Sequence, residues 1–201
     1  MRRWALIAAA LLVAGCGGEE QRDAAGPAVF QVKVGPDEVA TGFALGPSEA
    51  VTVAHVFEDR IPADATRLAD GRRADVQFVD RANDVALLSI PGLHAPATRF
   101  GTASGDVVVL VMRRNHVRAL PAHVRRSINA RIATLDGHVV RRPALELAAD
   151  IAPGDSGAPV VARDGRVAGV IFAQSDKRAH TAYATAVSGL AVLRQLRAGR
   201  S

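Results

Sequence analysis

Short apolar runs of about four to eight residues alternate along the chain with Gly, Pro, Asn and Asp residues that favour turns. Val and Ala supply most of the apolar positions, and aromatic residues make up only 4% of the chain. Runs of this length and composition favour β-strands over helices. The first set of predicted strands comprises Val29–Val34, Val39–Leu45, Ala50–Ala54, Ala74–Val79 and Val85–Ile90. The second set, which follows a break at Pro91 and Gly92, comprises Val107–Met112, His116–Leu120, Ile128–Leu135, Ala144–Ala148, Ala158–Val161, Arg166–Phe172 and Thr181–Val187.

Two sets of short strands predict an all-β domain built from two antiparallel barrels. The first barrel is expected over about residues 29–94 and the second over about residues 95–187. The tail predicts a C-terminal α-helix over about residues 188–197, with Ser188 as its N-cap. Its apolar residues lie at helical spacing: Leu190, Val192, Leu193 and Leu196.

Residues 1–15 have the pattern of an export signal. Arg2 and Arg3 give a positively charged start, and the apolar run Trp4–Ala14 follows. As a helix this run would be roughly 16 Å long, which is too short for a bilayer core of ~30 Å. The sequence VAGC at its end resembles the lipobox of bacterial lipoproteins, which implies acylation of Cys16 and attachment to a membrane. An ordinary secretory signal with an incidental cysteine is the alternative.

The segment 16–28 is polar and rich in Gly and Ala, which predicts a flexible tether. Cys16 is the only cysteine, so no internal disulfide is expected. The formal net charge is +5 and falls to +3 when Arg2 and Arg3 leave with the signal peptide, which gives no indication of nucleic-acid binding. No metal or cofactor is expected, because metal-ligand spacing is absent from His94, His116, His123, His138 and His180.

Three segments carry residues suited to nucleophilic catalysis. His55 follows the apolar sequence VTVA, and Asp84 precedes the apolar sequence VALL. Alone, such a histidine is usually a surface residue, and such an aspartate usually caps a turn. The sequence PGDSGAP is more specific, because Gly154 and Gly157 allow a tight turn around Ser156. Two neighbouring N–H groups of that turn can then stabilise an oxyanion.

The segments TVAH, DVALL and GDSGAP, in this order, resemble the chymotrypsin-like serine peptidases. The resemblance extends from about Val29 to the terminal helix and implies two six-stranded β-barrels. It implies that Ser156 Oγ is the nucleophile, that His55 is the general base and then acid, and that Asp84 orients the imidazole. The oxyanion hole would consist of the N–H groups of Gly154 and Ser156. The activity implied is a serine endopeptidase acting on proteins or peptides.

The sequence departs from this family in two features that concern the catalytic residues. Many members pair the aspartate before the nucleophile with an amine freed by cleavage, but no matching cleavage site is present. We therefore expect Asp155 to bind an arginine of the second barrel, and the enzyme to need no zymogen cleavage. Phe172 stands where the family often has a serine that helps to hold the catalytic acid. The HtrA and MarP branches share this change, and the sequence TAYA from Thr181 also resembles the MarP type.

Five residues are expected to form the substrate-binding pocket. They are Asp150, Phe172, Ala173, Gln174 and Thr181. Asp150 stands where trypsin has the acid that selects Arg or Lys, but Gln174 and Thr181 replace glycines and would shorten the pocket. We therefore expect small or medium apolar residues before the cut bond, with Arg or Lys as the alternative.

An α/β-hydrolase is the competing serine enzyme. Its nucleophile lies in G-x-S-x-G, whereas Ala158 occupies the last position here, and its order is Ser, acid, His. Asp176 and His180 could act as the partners after Ser156, but the strand-rich pattern does not fit that fold.

Two other functions remain open for the same chymotrypsin-like residues. One is a lipoprotein that binds peptides without cutting them, and the other is an esterase. The complete set of catalytic residues favours the peptidase, which is expected on the extracytoplasmic, periplasmic or outer, face of a bacterial membrane.

Overall fold

A computed structural model of the chain describes residues 26–36, 38–57, 66–133 and 139–193. The predicted signal peptide, Cys16, most of the tether and the end of the predicted terminal helix lie outside these ranges. In the described ranges, no helix is both long enough and apolar enough to cross a membrane.

The first six strands form one antiparallel sheet in the order β4-β1-β2-β3-β6-β5. Their bounds are β1 Val29–Val34, β2 Glu38–Gly46, β3 Glu49–Thr52, β4 Thr66–Leu68, β5 Asp75–Asp80 and β6 Val85–Ser89. The two ends of this sheet meet just before β5. Arg67 bridges Arg73, and the Ala74 N–H donates to the Thr66 carbonyl at 3.0 Å. We refer to this unit as barrel one.

The remaining six strands form a closed barrel in the order β10-β11-β12-β9-β8-β7, which we call barrel two. Their bounds are β7 Gly105–Arg113, β8 His116–Ala133, β9 Val139–Ala148, β10 Pro159–Val161, β11 Val167–Gln174 and β12 Thr181–Ala186. Pairing of β10 with β7 closes the ring. The predicted all-β fold with two six-stranded sheets is therefore confirmed.

The largest differences between the predicted strands and the structure concern β3, β4, β8 and β9. Strand β9 begins at Val139 rather than at the predicted Ala144. Strand β4 was not predicted, because a strand of three residues that includes Arg67 gives almost no periodic signal. Strand β8 joins two predicted strands, because its middle pairs with β7 up to Val124 and with β9 from His123, although most residues over 121–127 are exposed. Strand β3 ends at Thr52 rather than at Ala54, and a 3₁₀ turn begins at His55.

The C-terminal segment begins as a 3₁₀ turn, Val187–Leu190, and remains helical to Leu193. Prediction of Ser188 as the N-cap was wrong, because β12 runs directly into the turn and Ala186 precedes it without a side-chain cap. Leu190 and Leu193 are buried, as their spacing predicts.

Two apolar clusters fill the molecule. One lies inside barrel two and contains residues such as Val109 and Ile171. The larger cluster fills barrel one and continues onto the outer face of barrel two through Ala144, Val170 and Phe172. The barrels therefore pack through a shared apolar interface, and loops from both barrels meet beside it.

Candidate active site

His55 is held by Asp84 at three points. The Ala54 and His55 N–H groups donate to Asp84 Oδ1 at 3.0 and 2.8 Å, and His55 Nδ1 lies 2.9 Å from Asp84 Oδ2. One carboxylate thus fixes both the backbone of the 3₁₀ turn and the plane of the imidazole. The sequence analysis placed His55 at the end of a strand, whereas the strand ends three residues earlier. The turn is what allows the backbone and the ring to reach the same carboxylate.

Asp84 ends the tight loop between β5 and β6 and has a left-handed backbone, with φ of 55°. Thr185 Oγ1 of barrel two donates to the Asn83 carbonyl at 2.7 Å, which braces this loop across the barrel interface. The Asp84 side chain is buried, and Arg142 of β9 places Nη1 3.2 Å from Asp84 Oδ2.

Burial of the Asp84 carboxyl acts to raise its pKa. The hydrogen bond and the charge of His55, together with the charge of Arg142, oppose this effect, and the net result is a pKa below the usual range. The carboxyl is therefore ionised near neutral pH and can accept hydrogen bonds from the imidazole and the turn.

Ser156 lies in a turn whose backbone requires glycine on both sides. Gly154 and Gly157 have φ of 92° and 90°, a left-handed region that other residues rarely adopt. A Cβ at Gly157 would lie 1.9 Å from the Thr41 carbonyl oxygen. The Thr41 N–H donates to the Ser156 carbonyl at 2.8 Å, and Thr41 Oγ1 donates to the Gly154 carbonyl at 2.9 Å. Barrel one thus fixes the serine turn of barrel two.

Asp155 is fully buried beneath the serine turn and binds Arg113 of β7. Arg113 Nε donates to Asp155 Oδ1 at 3.0 Å, and Arg113 Nη2 donates to Oδ2. The Ala152 N–H donates to Oδ2 at 2.8 Å. The expectation that an arginine of the second barrel binds Asp155 is confirmed.

A cleft of about 710 Å³ contains His55 and Ser156 in its lining, together with Gly154, Val39 and Met112. Among the described residues, neither the Gly154 N–H nor the Ser156 N–H donates a hydrogen bond. Both groups therefore remain available to an acceptor placed in the cleft. A basic imidazole, a hydroxyl and two N–H donors on one cleft can support acyl transfer.

Four of the predicted pocket residues lie together on two paired strands. Ala173 and Gln174 at the end of β11 pair with Tyr183 and Ala182 of β12. Phe172 stacks on Tyr183 with ring centres 6.4 Å apart, and Thr181 begins β12 as a buried residue.

Asp150 differs from those four residues. Its side chain is 76% exposed and its carboxylate contacts His180 Nδ1. Its carbonyl accepts a hydrogen bond from Arg113 at 3.4 Å. Its carboxylate is therefore engaged at the surface and is not enclosed, as a residue at the floor of a pocket would be.

Sequence reasoning did not identify Thr41, Arg113 or Arg142 by number. The sequence did predict that an arginine of the second barrel binds Asp155, but it did not indicate that this arginine is Arg113. Thr41 and Arg142 carry no local signal, because their roles depend on contacts between the barrels.

The sequence matches the family profile of the trypsin-like peptidase domain over residues 40–170. This family and the two-barrel fold define the serine-peptidase class of hydrolases. The chain belongs to the trypsin-like peptidase domain family.

Among curated proteins, the chain is 31% identical over 150 residues to "Serine protease Rv3671c" of Mycobacterium tuberculosis strain H37Rv. "Serine protease MT3772" of strain CDC 1551 matches equally well. Each match covers 71% of this chain but only 38% of the relative, so the chain spans well under half of the length of these relatives.

Solved structures agree with this assignment. The active form of the Rv3671c protease from M. tuberculosis has a TM-score of 0.73 at 25% identity, covering 94% of this chain and 92% of that chain. Its inactive form has a TM-score of 0.68 at 29% identity, with coverage of 84% and 87%. The HtrA-type protease AlgW, at 21% identity and a TM-score of 0.67 over 86% of this chain and 61% of that chain, shares the fold.

Proposed function

We propose that this protein is a serine endopeptidase that cuts proteins or peptides outside the cytoplasm through His55, Asp84 and Ser156. The observation that carries the proposal is the hydrogen bond of 2.9 Å between His55 Nδ1 and Asp84 Oδ2, beside a cleft that Ser156 also lines. This bond leaves Nε2 of the neutral imidazole as the basic nitrogen.

In the proposed reaction, His55 Nε2 accepts the proton of Ser156 Oγ as the oxygen attacks the substrate carbonyl carbon. The resulting oxyanion accepts hydrogen bonds from the Gly154 and Ser156 N–H groups. The imidazolium, stabilised by Asp84, then protonates the leaving amine, and the C–N bond breaks to give an acyl-enzyme. A water molecule, deprotonated by His55, attacks the ester and releases the acid, while the proton returns to Ser156.

Turnover of a denatured protein substrate tests this assignment. We expect Ser156→Ala and His55→Ala each to lower kcat by about a million-fold, since members of a catalytic triad act as a unit. His123 provides a matched control, because its Nδ1 also lies 2.9 Å from an aspartate, Asp106, but on an exposed surface. His123→Ala should retain full turnover. An active His55→Ala protein would refute the assigned base.

For the primary pocket, we propose that Phe172, Ala173, Gln174 and Thr181 form its walls and favour small or medium apolar residues. Support comes from the exposed Asp150 carboxylate, which His180 already engages. A peptide library cut mainly after Ala, Val or Leu is the expected result. Strong cleavage after Arg or Lys would overturn the preference and would implicate Asp150.

The proposed location is the extracytoplasmic face of a membrane, with the domain tethered through acylated Cys16. The support is the lipobox-like sequence that ends at this cysteine. Mass spectrometry of the membrane-extracted protein should detect acyl chains on the N-terminal peptide, and Cys16→Ser should abolish them. An unacylated N-terminal peptide in the wild-type protein would contradict the anchor.

A further inference from the structure

Arg142 is a buried cation beside the Asp84 carboxylate. Only 3% of the residue is exposed, although its neighbour Arg141 on β9 faces solvent. Its guanidinium places Nη1 3.2 Å from Asp84 Oδ2, and Nη2 donates to the Arg81 carbonyl at 3.4 Å. Its guanidinium carbon lies 4.9 Å from the centre of the Phe172 ring.

Attraction to an opposite charge, rather than directed hydrogen bonding, stabilises the buried guanidinium of Arg142. Among the described residues, Nε and Nη1 have no hydrogen-bond acceptor in suitable geometry. A buried guanidinium with so few hydrogen bonds is costly unless an opposite charge compensates it. Asp84 supplies that charge, and the face of Phe172 adds a weaker attraction.

We propose that Arg142 is a positioning residue for catalysis. From barrel two it holds the Asp84 carboxylate, and its positive charge makes protonation of the His55–Asp84 pair less favourable. The proposal rests on the proposed function, because it deepens the role of the same site. Arg142 does not approach the reacting atoms itself, and it acts through Asp84. Since Asp84 belongs to barrel one, the contact also ties the acid to the alignment of the two barrels.

A fixed cation beside the His55–Asp84 pair has a predictable electrostatic effect. Adding a proton to this pair, on either group, is less favourable next to Arg142 than it would be without it. His55 therefore remains a neutral base to lower pH. Among the described residues, the titratable His55 and the charged Arg142 contact the Asp84 carboxylate. Other charged groups line the cleft: Glu38, Arg113, Arg114 and Asp155.

Kinetics of Arg142 variants test the proposal. We expect Arg142→Met to lower kcat by roughly 100-fold with KM nearly unchanged, and to move the acid limb of the kcat/KM profile up by about one pH unit. Arg142→Lys, which retains a charge, should keep the wild-type acid limb and recover much of kcat. Arg141→Met is the matched control and should match the wild type.

The pH profile separates this role from packing. Loss of packing alone would lower activity without moving the acid limb, and Lys would perform no better than Met. That result would overturn the proposal. Titration of reactive sites with a fluorophosphonate corrects each rate for the folded fraction. Failure of the wild-type protein to react would refute the proposed function instead.

A stability cycle covers the case in which Arg142→Met folds poorly. Arg142→Met leaves a buried carboxylate and Asp84→Asn leaves a buried cation, so each should lower Tm by roughly 10 °C. Removing both charges relieves both penalties, so the double variant should be more stable than Arg142→Met alone. If the Tm loss of the double variant equals the sum of the two single losses, the proposed ion pair between Arg142 and Asp84 is refuted. This readout needs no activity, and it therefore tests the contact even if the protein is not a peptidase.

Discussion

Two loops of this protein each contain a buried aspartate bound by an arginine, but the two pairs are built differently. Asp155 receives directed hydrogen bonds from Arg113, which belongs to the same barrel. Asp84 faces Arg142 from the opposite barrel, and Nη1 approaches it without hydrogen-bond geometry. The first pair defines the shape of one loop, and the second links a charge to the packing of two barrels.

A threonine braces each loop from the barrel to which the loop does not belong. Thr41 of barrel one donates to the Gly154 carbonyl, and Thr185 of barrel two donates to the Asn83 carbonyl. Both loops thus have a neutral brace across the interface, but within the described part of the chain only the Asp84 loop has a charged contact across it. Small changes in the alignment of the two barrels should therefore displace the Asp84 carboxylate more readily than the serine turn.

The largest effect is expected when the serine turn is broken at Gly157. Gly157→Ala places a methyl group 1.9 Å from a backbone oxygen and requires φ near 90°. The loss of unfolding free energy should be at least about 3 kcal/mol, with no detectable turnover. In the Asp84 region, Gly189→Ala meets the Thr185 methyl group at 2.8 Å and the Asn83 side chain at 2.9 Å.

Gly189→Ala should cost less, because side chains can move more easily than the backbone that Gly157→Ala meets. Thermal unfolding of both variants measures the difference. A Gly157→Ala protein as stable as Gly189→Ala would show that the serine turn adapts, contrary to the proposed rigidity.

The next effect concerns the directed pair. Arg113→Met leaves the Asp155 carboxylate buried without its cation, so the turn that presents the Gly154 and Ser156 N–H groups should distort. We expect kcat to fall by about 100- to 1,000-fold, comparable to loss of an oxyanion donor. The acid limb of the pH profile should move less than in the Arg142 variant. Exposed Arg118 provides the control substitution, Arg118→Met, which should have no effect.

Removing the two neutral braces should have a smaller effect. Thr41→Val and Thr185→Val each leave a carbonyl without its hydroxyl donor, at a cost of about 1–3 kcal/mol. We expect Thr41→Val to lower kcat by about tenfold, and Thr185→Val to lower it less, because Arg142 still holds the Asp84 loop. Steady-state kinetics compare them. A larger loss of kcat in Thr185→Val than in Thr41→Val would show that the Asp84 loop depends on its threonine more than the serine turn does, contrary to this expectation.

The smallest effect is expected in the acid stability of the fold. Two hydrogen-bonded arginines, Arg178 foremost, lower the pKa of Glu146 below its ordinary 4.5 despite its burial. Asp84 likewise has a pKa below 3.8. The unfolded chain therefore takes up protons at higher pH than the folded one does. The stability that both carboxylates contribute is fully present above about pH 5 and is lost as pH falls through their folded values.

Melting curves between pH 7 and pH 3 test this expectation. Glu146→Gln should flatten the acid decline of Tm by a few degrees. The carboxylate of Asp164 also pairs with an arginine, but on the surface, so Asp164→Asn should leave the decline unchanged. If the acid decline of Tm flattens equally in both variants, burial of the carboxylate does not determine its contribution to stability, contrary to this expectation.

Much of the fold follows from local pattern, because barrel strands with one buried face give short apolar runs. The two sets of strands and the break at Pro91 were predictable for this reason. Strand β8 was predicted as two separate strands, because most residues of its middle are exposed and only Ala122 and Val124 there are buried. Pairing with β7 up to Val124 and with β9 from His123 makes it one continuous strand. The 3₁₀ turn at His55 was missed because Asp84, distant in sequence, fixes it.

In the candidate site, too, some features follow from local sequence and others depend on contacts between distant residues. The turn around Ser156 was predictable, since the left-handed Gly154 and Gly157 are local requirements. The position of Arg142 was not predictable, because several arginines lie along β8 and β9 and only the barrel interface determines which one is buried. Local sequence therefore predicts groups that act within a loop, whereas contacts between barrels require the structure.

Labelling with a fluorophosphonate probe tests the central assignment most directly, because the probe reacts with a serine hydroxyl that a neighbouring base activates. We expect the adduct on the peptide that contains Ser156, and its loss in both Ser156→Ala and His55→Ala. A folded wild-type protein that carries no adduct, or carries it on another serine, would contradict the assignment. The first of these outcomes would favour a peptide-binding role.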